Sequence, residues 1–449
     1  MLLPLVGVPA LIKDGLEPYR KVFCREAGFE HVSRYMTGLL LSPNKTLQGI
    51  YAQQVWPDEQ EVSRRAMHAG VFEAGWDSEG LMPRHRAVVA AEHRGRGLEV
   101  IDLDWTYVHH DRGPTIYATK RAYDHVEGRL SNYQTLVTAV VTNAEVIDGV
   151  AVEVQFPNYQ PEELAYLKMT ALDGDTDLES ARQRFIELLH YHKNRLAYRK
   201  RTEMAVEIVR QLEAEGHFPH AHYAFDNGVL SLPLTQLIES QGKHWVSELE
   251  SSRLIQWQGQ WCRVDGLDAE LVQQHPESFR PLPVTLRNGE EKAFWVFTKT
   301  VRLKRYGRKR LVILHEQADL RDAPRFLLTD ALHWEGGRVI RVWSYRWPVE
   351  IFHEFCKQVV GLEAAQVRNE EAVKRHFRLS CVAQSLLQRA PCGGKKSERF
   401  AFAEPHQQPV GQKLYTLTRQ ALGQLLQLVQ GLFVQGQAYD QVLERLMPA

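Results

Sequence analysis

The chain has 449 residues, a length that allows about two to four domains and a sizeable core. Hydrophobic residues at 44 % and charged residues at 24 % exclude a disordered or fibrous chain. The 55 Lys and Arg balance the 55 Asp and Glu, which excludes a wholly basic nucleic-acid binder but leaves room for local basic patches.

In chain order, "MLLPLVGVPALIK" is apolar but carries two prolines and no basic lead, so it reads as mature sequence rather than a signal peptide. Residues 1–95 follow as a helical N-terminal domain. In it "GLEPYRKVFCREAGFEHVSRYMTGLLL" repeats apolar residues at helix spacing, and "LSPNKT" breaks the pattern. The basic stretch "MPRHRAVVAAEHRGRG" fits DNA contact or plain packing equally. Three strands are predicted next, from "GLEVIDLDWTYV", "TIYATKRAY" and "YQTLVTAVVTN", forming an antiparallel meander with the turn "DRGP" after the first. Beyond "LDGDTD", a helical stretch runs from Leu178 to Glu215 and stops at Gly216. "HAHYAFDNG" is a strand, "VLSLPLTQLIESQG" a helix and "HWVSELE" a strand, completing residues 96–250.

Residues 251–330 change character. "LIQWQGQWCRV", "AFWVFTKTVRL" and "KRLVILHEQ" read as strands of a β-rich insertion. Helices return between Ser344 and Arg389, within residues 331–390. "PCGGKKSE" then links to a last helix, "GQKLYTLTRQALGQLLQLVQGLF", in residues 391–449. No repeat at solenoid periods occurs. No run approaches ~18 apolar residues, so no membrane span is expected. The five cysteines, Cys24, Cys262, Cys356, Cys381 and Cys392, include no CxxC pair. An odd count without that spacing argues against a disulfide framework or zinc ribbon and fits a reducing, cytoplasmic setting.

Three carboxylates stand out. In "SYRWPVEIFHEFCK", spacings of three, four and seven put Trp343, Arg346, Glu350 and Lys357 within roughly a 60° arc of one helix. Ser344 or Tyr345 would be its N-cap, with Pro348 in the first turn. The face sets a carboxylate between two cations; a solvated charged face is the competing explanation. Phe352, Phe355 and Val359 read as core. Asp104 lies late in an apolar strand on the same face as Asp102, where a carboxylate needs a cation, hydrogen bonds or the strand's open end. Asp226 ends the short strand and opens "DNG", as a functional group or as an Asx turn or N-cap. Together, two strand aspartates and a helix glutamate are hard oxygen ligands of the kind magnesium takes, and paired ions about 4 Å apart suit phosphoryl transfer.

The order strand–strand–strand, long helix, strand with Asp, β insertion, helix with Glu resembles the DDE transposases of bacterial insertion sequences. "LDWT" is similar to that family's first-aspartate strand. "FDNG" with "KHWVSEL" is similar to the second, and Arg346, Glu350 and Lys357 match its Tyr-x2-Arg-x3-Glu-x6-Lys signature, with Trp343 in place of Tyr. "RFLLTDA" and "GLEAAQVRNEEAVKRHF" extend the likeness over about residues 30–390. The resemblance implies a mixed α/β (α+β) fold with a ribonuclease H-like core, a β-rich insertion, a helical N-terminal domain and C-terminal helices. It implies Asp104, Asp226 and Glu350 as catalytic residues and ligands of two Mg²⁺ ions, with Mn²⁺ able to substitute. Asp104 would take both ions, Asp226 one and Glu350 the other. The implied activity is hydrolysis and strand transfer at element ends in a cut-and-paste transposase. Implied partners are double-stranded DNA, as terminal inverted repeats and target, and a second copy of the chain. It further implies phosphate contacts from Arg346 and Lys357, and a flipped base stacked on an aromatic of the insertion, for which Trp295 is the candidate. The alternatives are a non-catalytic DNA-binding relative and a nuclease that cuts without joining.

Two other features carry expectations. "KTVRLKRYGRKR" contains Arg302, Lys304, Arg305, Arg308, Lys309 and Arg310 without an acid, and reads as a phosphate-tracking run or a solvated hairpin tipped by Gly307. In "HHD", His109 and His110 point to opposite strand faces, so a metal site with Asp111 is disfavoured against a loop-edge or DNA-contact role.

Overall fold

The structure is a computed structural model describing residues 3–56, 62–93, 95, 97–110, 113, 115–125, 127–171, 177–393 and 410–446. It opens with helices α1 (Ala10–Leu16), α2 (Glu26–Leu41), α3 (Leu47–Tyr51), α4 (Arg64–His68) and α5 (Ser78–His93). Strands β1 (Val100–His109), β2 (Lys120–Asp124), β3 (Arg129–Thr142) and β4 (Ile147–Gln155) precede helices α6 (Gln160–Ala171), α7 (Leu178–Ala197) and α8 (Arg201–Glu215). β5 (His222–Phe225), α9 (Leu232–Ser240) and β6 (Trp245–Glu248) follow. The next part holds β7 (Leu254–Trp257), β8 (Gln260–Arg263), α10 (Val264–Gln274), β9 (Arg280–Thr285), β10 (Glu291–Leu303), β11 (Gly307–His315) and β12 (Arg325–Thr329). Helices α11 (Gly336–Ser344), α12 (Pro348–Phe355), α13 (Glu370–Gln388), α14 (Val410–Val434) and α15 (Tyr439–Leu446) complete the chain. The mixed α/β class expected from the sequence is the class observed.

Among the described residues the strands form one twelve-stranded sheet in the order β2-β3-β1-β5-β6-β12-β11-β10-β7-β8, with β4 beside β3 and β9 beside β10. β1 is antiparallel to β3 and parallel to β5, and β5 is parallel to β6. Antiparallel β12 on the free edge of β6 makes the 251–330 segment a continuation of the same sheet. Alternation along β1 explains its position. Ile101 and Leu103 join one core with Met204, Ile208 and Val209 of α8, while Val100 turns to a second core with Val339, Val342 and Trp343 of α11. α8 ends where Gly216 takes φ 64°, a left-handed cap that suits glycine.

β4 and α10 were not foreseen. Within β4, Asp148 and Gly149 have distant partners. Asp148 bonds to Arg389 and His93, and a Cβ at Gly149 would lie 2.4 Å from Phe352 Cζ. The N-terminal helices share a core with α12 and α13. Tyr35 Oη is 2.9 Å from His376 Nδ1, and Arg375 and Arg378 donate to the carbonyls of Val71, Trp76 and Ser78. Much of the basic stretch in α5 turns inward. Arg86 forms a two-pronged pair with Glu215 at 2.6 Å, and His85 meets the Tyr19 hydroxyl at 2.8 Å. No helix among the described residues is long and apolar enough to cross a membrane.

Candidate active site

The carboxyl ends of the parallel strands form a ledge. Leu103 is in register with Phe225, and Phe225 with Ser247. The next residues, Asp104, Asp226 and Glu248, therefore stand side by side on strands about 4.8 Å apart. Alternation turns them toward the face where Val100, Ala224 and Val246 meet α11.

The segment carrying Glu350 differs from its expected form. The predicted single helix is two. α11 ends at Ser344, and Tyr345–Trp347 turn the chain. α12 then starts with Pro348 at its first position, where the missing N–H costs nothing. The N-cap is Trp347 rather than Ser344 or Tyr345, so the 60° arc is not a helix face. The turn nevertheless gathers the same side chains. Arg346 Nη1 donates to Glu350 Oε1 at 2.6 Å and Nη2 to Asp104 Oδ2 at 3.5 Å. Its guanidinium lies 5.6 Å from the Trp343 ring centroid. Its Nε is buried with no hydrogen-bond partner among the described residues. Phe352 is core as expected, and Phe355 and Val359 pack against it.

The electrostatics show three acids sharing one cation. Burial pushes the Asp104 carboxyl up to about 7, with repulsion from Asp226 and Glu350 adding to it, against the pull of Arg346 and the Trp105 N–H. Arg346 is itself raised: burial works against its charge, but Asp104, Glu350 and Asp226 outweigh it. Asp226 Oδ1 accepts from the Val229 N–H at 3.0 Å, three residues on, the capping contact rather than the two-residue step of an Asx turn. The two aspartate segments touch, since a Cβ at Gly228 would lie 2.8 Å from Trp105 Cζ2. Under-neutralised carboxylate oxygens are the donor type a divalent cation of the magnesium type takes, although these three do not bring their ligand atoms within 4.8 Å of one another as His109, Asp124 and Glu127 do.

Residues not singled out from sequence complete the site. His353, one turn beyond Glu350, is buried, and burial lowers it to about 3. In that neutral form its Nε2–H donates to Thr138 Oγ1 at 2.8 Å, and Thr138 donates to the Asp104 carbonyl at 3.3 Å. This chain of bonds fastens α12 to β1. The histidine's i,i+3 spacing from Glu350 was its only signal in the sequence. Beside the acids lies a cleft of about 480 Å³, lined by Glu248, Arg287, Phe294, Trp343, Arg346 and Trp347, among others.

The remaining predicted residues scatter. Lys357 sits in the wider turn after α12, its Nζ 3.6 Å from Glu363 Oε1. Trp295 is half-buried on the face of β10 that packs with Phe279 and Phe297, whereas the cleft is lined from the opposite face by Phe294. Arg302, Lys304, Arg305 and Arg308 are exposed at the β10–β11 hairpin, where Gly307 takes φ 71°. Arg310 is half-buried. Lys309 does not join the exposed run: it is buried, 3.0 Å from Glu239 Oε1, on the same strand face as Leu311 and Ile313.

His109 and His110 do point apart, and Asp111 lies outside the described residues. His110 Nε2 meets Gln134 at 2.7 Å. His109 has Nε2 2.6 Å from Asp124 Oδ2 and Nδ1 3.3 Å from Glu363 Oε1. His109, Asp124 and Glu127 bring potential ligand atoms within 4.8 Å of one another, a grouping the sequence did not reveal because its members come from two strands and a turn.

A family model described as DDE superfamily endonuclease matches residues 18–262, a stretch that includes Asp104 and Asp226 and stops before Glu350. No curated protein matches the chain. The match spans more than half of the sequence, and its acidic strand ends are those of the ledge; the chain belongs to the DDE superfamily endonucleases, nuclease-type enzymes that act on DNA.

Proposed function

We propose that this chain is a DDE transposase that cuts and joins DNA at the ends of an insertion sequence, using divalent metal held by Asp104, Asp226 and Glu350. The observation that carries the reading is Arg346 spanning Asp104 and Glu350, with Asp226 at the same level on the adjacent strand. A lone guanidinium among three acids leaves Asp104 under-neutralised, and two Mg²⁺ ions, or Mn²⁺ in their place, supply the missing charge. When bound, such ions activate the attacking oxygen and stabilise the leaving one.

The chain's own residues do the rest. Asp104 would hold both ions, Asp226 one and Glu350 the other. Arg346 and Lys357 are the cations offered to DNA phosphates near the cut, Lys357 exchanging its pairing with Glu363 for the phosphate. His353 and Thr138 hold Glu350's helix at a set height above Asp104. The exposed cations Arg302, Lys304, Arg305 and Arg308 track DNA phosphates away from the cut. Residues 1–95 and the insertion add DNA-facing surface, and two copies act on paired ends.

The test is a nicking and joining assay on DNA carrying the element ends, with Mg²⁺ or Mn²⁺. Nicked and joined products that disappear in Glu350→Gln support the reading. Binding without metal-dependent nicking would instead identify a non-catalytic relative. Cut ends that never join would identify a nuclease.

A further inference from the structure

The first histidine of "HHD" ends β1 on the strand face that also carries Trp105 and Tyr107, and it meets the turn between β2 and β3. His109 Nε2 lies 2.6 Å from Asp124 Oδ2 and 3.7 Å from Glu127 Oε1. One ligand atom from each residue falls within 4.8 Å of the other two. The turn sets its two carboxylates three residues apart. Gly128 takes φ 66° there and donates its N–H to the Asp124 carbonyl at 2.8 Å.

Each side chain has its second polar atom held by another partner. His109 Nδ1 lies 3.3 Å from Glu363 Oε1, which also accepts the His109 backbone N–H at 3.1 Å. Asp124 Oδ1 accepts the Glu127 N–H at 3.2 Å, and Glu127 Oε2 accepts from Arg129 Nε at 2.6 Å. A histidine that donates Nδ1–H to a carboxylate presents a lone pair at Nε2, and an outer carboxylate of this kind is what orients metal-binding histidines. The lone pair and two carboxylate oxygens then converge on one point. A proton on Nε2 reaches Asp124 but not Glu127 Oε1, which at 3.7 Å is beyond hydrogen-bond distance. A cation set between them reaches all three.

We infer that His109, Asp124 and Glu127 form a second divalent-cation site, built for a zinc-type ion and about 17 Å along β1 from Asp104. The imidazole nitrogen separates it from the all-oxygen ledge, since nitrogen ligands suit Zn²⁺ and oxygen ligands Mg²⁺. Ligands about 2.1 Å from a tetrahedral zinc stand about 3.4 Å from one another. The His109–Asp124 contact therefore widens by about 1 Å on loading, and the His109–Glu127 distance hardly changes. The Asp124 side chain has no exposed surface, whereas His109 is 20 % and Glu127 32 % exposed, so the ion enters from the Glu127 side and its fourth position faces water. It clasps the end of β1 to the β2–β3 turn and, through Glu363, to the segment after α12. This role holds whether or not the ledge cuts DNA.

The test is calorimetric titration of Zn²⁺ alone into the full chain after dialysis against a chelator. The chain carries Asp104→Asn and Glu350→Gln, so that the ledge does not compete. One equivalent should bind at micromolar concentration or below, with Mg²⁺ unable to displace it, and should raise the melting temperature. Adding His109→Gln or Glu127→Gln should weaken that equivalent by about 100-fold or more and abolish the thermal shift. Glu127 lies on an exposed turn, so its variant reports even where His109→Gln disturbs folding. No Zn²⁺ binding tighter than about millimolar, undiminished binding in the Glu127→Gln chain, or displacement by equal Mg²⁺ would each overturn the assignment.

Discussion

Two acid clusters, one on β4 and one on β1 with only β3 between them, answer their charge differently. At Asp148 on β4, Arg389 donates from Nη1 at 2.7 Å and from Nη2 at 2.9 Å, His93 adds a contact at 3.0 Å, and Ser385 donates at 2.5 Å. Burial works against the Asp148 carboxylate, but Arg389 and His93 hold it well below the usual carboxylate range. At Asp104 one arginine is shared among three acids, and the carboxyl is raised to about 7. The first cluster is complete and ties α5, β4 and α13 together. The second is short of positive charge, as a site that awaits a cation should be.

The sharpest way to break this contrast is to neutralise each side. Glu350→Gln or Asp104→Asn should cut metal-dependent nicking by more than about 100-fold, since even outer partners of a metal ligand are worth 10–100-fold. Binding to end DNA should stay within a few-fold. The same Asp104→Asn change should leave the metal-free melting temperature unchanged or raised, because it removes a carboxylate the fold disfavours. Asp148→Asn should instead destabilise the fold by about 3–5 kcal/mol, as breaking a buried pair does. If calorimetry finds the two asparagine variants equally destabilised, the clusters are of one kind and the contrast fails.

A pH series sharpens the structural side. Burial disfavours charged His93, but its bonds to Asp148 and Glu99 outweigh this and push it up to about 9. Its stabilisation is therefore full below its ordinary value of 6.5 and is lost as pH rises through about 9. The melting temperature should fall over that interval, and His93→Gln should flatten the fall.

Gly228→Ala probes the catalytic side without touching a charge. The added carbon must move Trp105, which costs about 1–3 kcal/mol, and nicking should drop about tenfold while binding holds. The smallest effect is expected at the hairpin. Lys304→Ala with Arg305→Ala should weaken DNA binding and reduce its salt slope by about 2, near 0.9 for each phosphate lost. An unchanged slope removes that hairpin from the interface.

Why one cluster was legible in the sequence and the other was not follows from the same contrast. Asp104 and Asp226 interrupt apolar strands, and Glu350 stands four residues from Arg346, but each short-range pattern had an ordinary explanation, and it was the resemblance to DDE transposases that singled out the three together. The break between α11 and α12 was not legible, because Pro348 suits the first turn of a longer helix or the first position of a new one. β4 was not foreseen because the groups that make Asp148 and Gly149 strand residues, Arg389 and Phe352, lie more than 200 residues away. Strand alternation did offer one signal that charge counting missed: Lys309 shares parity with Leu311 and Ile313, which puts it inside.

The rungs joining β12 to β6 bear on anyone wishing to shorten this protein. Deleting residues 251–330 would strip β6 of its neighbour and leave a raw edge of unpaired backbone groups, ready to recruit another chain. The loss would fall beside Glu248 and one strand from Asp226, so a compact version calls for a substitute strand there.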